Sequence, residues 1–437
     1  VSPAVGFGGR DIVTTDTKYS WGMPTYTTTF TGGDSGTSQT HVFGRIRNTL
    51  NTQQTATYIV TPRADLGACQ GTPFTLTVTV NPTAEITAMS TVICSGYPFE
   101  VSPANNNNGI VPANTRYTWD LPTATGTFTG GQTATLADRV SGLLYNQTNT
   151  TQTVTYIVTP SSFGNCTGAT FTVTVILRST PVINAITSAV CSNTPFTITP
   201  SGASPNILPA GTTYTWSAPA ISASISGGAP GTNESQITGL LTNLSNVVQT
   251  ATYTVYPTSG LNCAGNPFTI TITLNPGATI STIFTTVCSG VTFNVVPQNG
   301  VDGIIPAGTT YIWDAPTGAG ISGGQSTTTY QNPITGTLTN TTGFNATATY
   351  AITPNILNCG PSTSFSLVVT IKPVATPTSF TAIAFGGVPF EFSPVNGING
   401  NVPVETVFSW PVPTMSAGLT AGLSGTNQPS IATTIAN

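Results

Sequence analysis

The 437 residues include nine Lys plus Arg against thirteen Asp plus Glu, a formal charge of −4, and only 5% of them are charged, against roughly a quarter in an average soluble chain. Nine basic residues cannot neutralise a run of phosphates, which excludes nucleic acid as an expected partner; no apolar run approaches the ~20 residues of a membrane helix, which excludes direct membrane insertion by that route. Yet 38% of the residues are hydrophobic and 13 Tyr, 19 Phe and 5 Trp are available to fill cores, so the scarcity of charge does not read as disorder.

The first phrase to return along the chain is "KYSW", ending at Trp21. It comes back as "RYTW", "TYTW", "TYIW" and "VFSW", which places Trp21, Trp119, Trp216, Trp313 and Trp410 at spacings of 98, 97, 97 and 97. "VFGRIRN" from Val42 is matched by "VSGLLYN" from Val140, "ITGLLTN" from Ile237 and "ITGTLTN" from Ile334. "TATYIVTP" from Thr55 returns from Thr153, Thr250 and Thr347, setting Tyr58, Tyr156, Tyr253 and Tyr350 on the same period. Within it Ala56, Tyr58 and Val60 alternate with Thr55, Thr57 and Thr61, the period of two expected of a half-buried strand. The strand after it is clearest in "FTITITL". Phe268, Ile270, Ile272 and Leu274 point one way and three threonines the other; a one-residue slip would turn the whole apolar face to water. Joints such as "NPTAE", "RSTPV", "NPGAT" and "KPVAT" follow, and proline without Gly/Ser tracts predicts fairly stiff spacers. "PFEVSP" from Pro98 then opens the next copy, matched from Pro195, Thr292 and Pro389.

One copy, residues 83–178, runs through about seven short strands punctuated by Gly, Pro and Asn, and helix-period patterns of useful length are missing. That is the size and pattern of an immunoglobulin-like sandwich. The expectation is an all-β, elongated tandem array of seven-stranded β-sandwich domains of about 97 residues. The expected units are 1–82, 83–178, 179–276, 277–373 and 374–437. The first and last are expected to be incomplete, because Val1 aligns with Val101 and Asn437 falls before the final strands of its unit. Further repeats of the same chain are the expected partners at both ends. Val1 is followed by no charged-then-apolar leader, so a signal peptide is expected to be absent or removed.

Seven cysteines, at 69, 94, 166, 191, 263, 288 and 359, follow the same period. Two pairings fit. Within a unit, Cys94 would join Cys166, Cys191 would join Cys263, and Cys288 would join Cys359. Across the joints, Cys69 would join Cys94, Cys166 would join Cys191, and Cys263 would join Cys288. In the fifth unit Phe385 occupies the cysteine slot, so the across-joint scheme leaves Cys359 without a mate, whereas the within-unit scheme leaves only Cys69 single. The within-unit scheme is therefore preferred, although spacing alone does not fix connectivity. Each such bridge would close a loop of about 70 residues, worth at most ~4 kcal/mol in the chain-entropy model, and regular disulfides imply an oxidising, extracellular setting. A metal site would need clustered Cys and His; no CxxC occurs and His41 is the only histidine.

Little else points to chemistry. His41 is replaced in other units by Arg139, Gln236 and Pro333; the carboxylates are scattered, with Asp120 and Asp314 reading as solvated strand ends. "GGR", Gly8 to Arg10, is at most a faint loop signal. Neither a calcium loop nor a glycine-rich phosphate loop occurs, so no cofactor, catalytic residue or metal ligand is expected. The period-locked Trp and Tyr read as core rather than as a sugar platform. Asn146, Asn149, Asn243, Asn340 and Asn345 head Asn-x-Thr/Ser triplets, which read as turns more readily than as glycan sites.

With "YTW" in mid-unit, "TYIVTP", and then "NCTG" ahead of "FTVTV", the chain resembles the PKD-like and Ig-like repeats of giant surface proteins of Bacteroidota. That group includes SprB-like gliding adhesins exported by the type IX secretion system. The resemblance implies a structural stalk or fibre segment of a secreted adhesin, carried at the outer membrane, with surface polysaccharide or anchoring proteins as partners. A polysaccharide-binding array, or an accessory region of a large secreted enzyme, is the alternative. One departure stands out. Immunoglobulin domains place a Tyr two residues before the second Cys, whereas Tyr156 precedes Cys166 by ten, so an antibody-type binding site does not carry over.

Overall fold

In the computed structural model of the chain, residues 13–26, 30–64, 66 and 68–437 are described; the "GGR" loop lies outside them. The architecture is all-β, with a single 3-10 turn at Phe163–Asn165 among the described residues. The second repeat illustrates how the sequence builds it. Gln152–Ser162 carries the "TVTYIVTP" phrase and alternates buried with half-exposed positions along its length. It pairs antiparallel with Phe171–Arg178, from Gln152↔Leu177 to Val158↔Phe171. Phe171–Arg178 is the closing strand of its repeat. Along its free edge lies the leading strand of the same repeat, Met89–Cys94, in parallel register from Val173↔Met89 to Arg178↔Cys94. Arg116–Trp119 and Ala134–Ala137 extend this sheet on the other side. The facing sheet has Val140–Asn146 between Pro98–Val101 and Phe128–Gly130. The threonines of each period-two strand face outward, and the apolar set faces the opposite sheet.

The third and fourth repeats copy this plan. Their leading strands, Ile186–Cys191 and Ile283–Cys288, run parallel to the closing strands Phe268–Asn275 and Phe365–Lys372. Each of the first four repeats keeps a core of its own. Trp119 and Tyr156 belong to one buried cluster, Trp216 and Tyr253 to a second, Trp313 and Tyr350 to a third, and Trp21 and Tyr58 to a fourth. The indole ring of Trp119 meets Tyr156 edge-on at 6.4 Å. Every tryptophan donates its Nε1–H to a backbone carbonyl about thirteen residues on: Trp21 to Asp34, Trp119 to Gln132, Trp216 to Ala229, Trp313 to Gln325 and Trp410 to Leu423. This contact satisfies the one polar atom of a buried indole.

The end repeats show what the parallel pair contributes. In the first repeat the closing strand Phe74–Val80 pairs with Gln54–Ala64, and no leading strand lies beside it among the described residues. In the fifth, residues 381–385 align with the leading strands but form no strand, and Ile383 is 90% exposed. Trp410 is half buried.

Candidate functional site: the clasped joints between repeats

The distinctive geometry of the molecule lies where one repeat meets the next. Register puts Cys94 beside Arg178, the last residue of the closing strand, so Cys94 lies at the downstream pole of repeat two. Cys263 lies in the hairpin between Gln249–Thr258 and Phe268–Asn275, at the upstream pole of repeat three. The two are bonded, Cα to Cα 5.6 Å. Cys191 beside Asn275 is likewise bonded to Cys359 of the fourth repeat, at 5.7 Å. Each of these joints is thus held by the backbone and by a disulfide.

This pairing corrects both schemes expected from spacing. Within a repeat, Cys94 and Cys166 lie at opposite ends of an eight-residue closing strand, about 27 Å at the usual rise, and a disulfide needs Cα atoms within ~7 Å. The across-joint scheme fails for the same reason, since it would join an upstream pole to the downstream pole of the next repeat. Cys166 and Cys288 are thiols, half-buried and exposed respectively. Cys69 is exposed, and its carbonyl accepts the Ala64 N–H at 3.0 Å.

Sequence reasoning did not single out the residues that seat the clasps. The Arg178 guanidinium donates to the Leu261 carbonyl at 3.1 Å across the joint. Ser179 Oγ donates to Thr148 O at 2.6 Å, and Thr180 Oγ1 to Ser95 O at 3.1 Å. The hairpin also presses against the incoming chain at a glycine: a Cβ on Gly265 would stand 2.3 Å from Pro181 O, and one on Gly168 2.2 Å from Ala84 O. In the fourth repeat Ser362 instead donates Oγ to Ala278 O at 3.1 Å. The joint between the first two repeats carries the exposed ion pair Arg47–Glu85, worth little at the surface. The parallel pairing supplies the missing signal: a cysteine that ends a repeat's first strand and one that precedes its last strand lie at opposite poles once those strands run parallel.

The remaining expected residues are placed plainly. Trp21, Trp119, Trp216 and Trp313 are buried, as are Tyr58, Tyr156, Tyr253 and Tyr350. Burial pushes the Tyr156 and Tyr350 phenols up to about 12, and burial with Asp302 nearby does the same for Tyr311. The Tyr156, Tyr253 and Tyr350 hydroxyls have no hydrogen-bond partner among the described residues. Asn146, Asn243 and Asn340 are buried, their side chains knitted into the backbone. Asn243 Nδ2 donates to Val247 O and Leu274 O, and its Oδ1 accepts from Ser245 N and Oγ. Such amides are out of reach of a glycosylating enzyme, whereas Asn149 and Asn345 are exposed. His41, Asp120 and Asp314 are exposed and far apart in sequence. Among the described residues no group of His, Cys, Asp and Glu could hold a metal, and no helix is long and apolar enough to cross a membrane. A shallow groove of about 600 Å³ on the third repeat is lined by Trp216, Gly227–Gly231, Glu234 and Thr238–Leu240. Its tryptophan is 4% exposed, which leaves no ring face for a sugar to stack on.

A family model for the PKD-like domain matches residues 9–84, 91–181, 188–278 and 285–375. No curated protein matches the chain. Among solved structures it is similar to an I-band fragment of titin, at 12% identity and TM-score 0.29, covering 67% of this chain and 98% of that one. It is also similar to Drosophila N-cadherin EC1-4, at 10% identity and TM-score 0.22, covering 84% and 94%. An endo-fucoidan hydrolase of glycoside hydrolase family 107 is similar at 14% identity and TM-score 0.18, covering 66% of this chain and 43% of that one.

Proposed function

Because the chain belongs to the PKD-like domain family, with four matched copies in series, we propose that it is a structural stalk segment of a large secreted cell-surface adhesin. The stalk holds adhesive regions away from the cell for surface attachment and for gliding motility, and the parent is a SprB-like protein exported by the type IX secretion system and retained at the outer membrane. The observation that carries this reading is the serial arrangement: separate cores fastened covalently at successive joints. The disulfides agree with an extracellular or secreted setting. A surface of hydroxyls and amides with few charges would keep its properties across ionic strengths. Its partners are further repeats of the same chain at both ends, with outer-membrane anchoring proteins or surface polysaccharide beyond them, and the units are those bounded at 82, 178, 276 and 373.

The alternative, a polysaccharide-binding array or an accessory region of a secreted enzyme, has the groove beside Trp216 in its favour. Two measurements on the chain separate the readings. A stalk is rod-shaped by small-angle scattering and is not retained on a glycan array. Saturable retention of one glycan class, lost on Glu234→Gln, would overturn the stalk reading in favour of the array.

A further inference from the structure

We propose that the staggered disulfides make repeats two to four inextensible under tension, so that a repeat can unfold without lengthening the chain. The inference goes beyond the stalk reading and rests on connectivity alone.

In a plain tandem array each domain is a loop of slack. Unfolding one of about 97 residues releases a tether of ~330 Å at ~3.4 Å per residue. Subtracting the ~40 Å the folded unit already spans leaves a gain of ~290 Å. The clasps remove this slack. When repeat three unfolds, its upstream end stays attached to repeat two at Arg178 and, through Cys94, at Cys263; its downstream end stays attached to repeat four at Asn275 and, through Cys359, at Cys191. The shortest covalent paths across it are Arg178 to Cys191, thirteen residues, and Cys263 to Asn275, twelve. Either is ~40 Å fully extended, close to what the folded unit covers already, because both run along strands that are extended in the fold.

The flanking repeats are shortened in the same way. Tension entering repeat two at Thr83 leaves through Cys94 after eleven residues, and tension entering repeat four at Cys359 leaves at Lys372 after thirteen. Two clasps therefore silence three repeats. Only when all three have unfolded do the 72 residues between Cys191 and Cys263 come into line, giving a total gain of ~200 Å against ~860 Å for the same repeats without disulfides. The tension-bearing elements are the leading and closing strands, which lie side by side in parallel and share the load. The strands between them, which hold the Trp and Tyr of the core, are outside the path.

Single-molecule stretching of the 437-residue chain between its ends tests this, with and without dithiothreitol. The reduced chain should show three ~290 Å steps from repeats two to four, and the oxidised chain none of that pattern. Replacing one clasp, Cys191→Ser with Cys359→Ser, should restore a single step, from repeat four, since repeats two and three remain bridged through Cys94–Cys263. The same stepping in oxidised and reduced chains, or three restored steps on loss of one clasp, would overturn the proposal. So would peptide mapping that finds Cys94 bonded to Cys166.

Discussion

Asn243→Ala should be among the most damaging single changes in the third repeat, although a sequon asparagine would ordinarily be taken for surface. The side chain is 3% exposed and makes four hydrogen bonds: to Val247 O at 2.7 Å, Leu274 O at 3.1 Å, Ser245 N at 2.9 Å and Ser245 Oγ at 2.8 Å. Alanine removes all of them. Each net bond is worth about 1 kcal/mol, and the Leu274 carbonyl, buried beside the end of the closing strand, is left desolvated with its amide partner gone. The expected loss is about 3–4 kcal/mol, a large share of the roughly 5–15 kcal/mol that holds such a domain together. Because the cores are separate, the loss should be confined to one unit. Urea unfolding followed by Trp fluorescence should show one of several transitions moving to lower denaturant, and hydrogen exchange should assign it to residues 179–276. Asn149→Ala, at an exposed position, is the control and should stay within about 0.5 kcal/mol of the parent. If Asn243→Ala cost less than 1 kcal/mol, or no more than the control, the amide would not be holding the turn and the reasoning would fail.

Other expectations follow from the same contacts. Tyr253→Phe removes a hydroxyl with no partner among the described residues, so stability should stay level or rise by up to about 1 kcal/mol; a loss above 1 kcal/mol in urea titration would mean the hydroxyl is bonded. Alkali should unfold the chain in a defined window. An unfolded tyrosine ionises near 10, while Tyr156, Tyr311 and Tyr350 hold their protons to about 12. Stability is therefore full below pH 10 and falls as pH rises through 12, and a flat unfolding midpoint from pH 9 to 12 would contradict the burial of these phenols. Gly265→Ala places a methyl 2.3 Å from Pro181 O and should cost about 1–3 kcal/mol. It should also speed protease cleavage at 179–185, and unchanged cleavage would show that the hairpin can shift at no cost.

What the sequence made legible was whatever repeats locally. The alternation in "FTITITL" gave the buried set Phe268, Ile270, Ile272 and Leu274, all buried in the structure, because a strand's two faces are written in consecutive residues. The tryptophan period marked out the all-β units. Cysteine connectivity stayed hidden because it depends on a pairing about eighty residues long in sequence, Met89 with Val173. Nothing near Cys94 says that its strand runs parallel rather than antiparallel to the last one, and that choice decides which pole the thiol occupies. The buried asparagines were hidden for a different reason. Asn146 and Asn149 head similar triplets, and only the facing sheet distinguishes them, by covering one and leaving the other in water. The joint contacts of Arg178 and Gly265 involve backbone carbonyls, which carry no residue signature at all.

The parallel leading strand also imposes an order on biosynthesis. Made first, it acquires its neighbour last, so each of repeats two to four stays open until its final strand emerges from the ribosome or the export channel. Cys94 meets Cys166 after 72 residues and its proper mate Cys263 only after 169, and shorter loops close sooner. An oxidant acting on the nascent chain would capture the wrong thiol, whereas one encountered after the third repeat has closed finds Cys94 and Cys263 already side by side. Correct maturation therefore calls for late oxidation, or for an isomerase able to undo the early mistake.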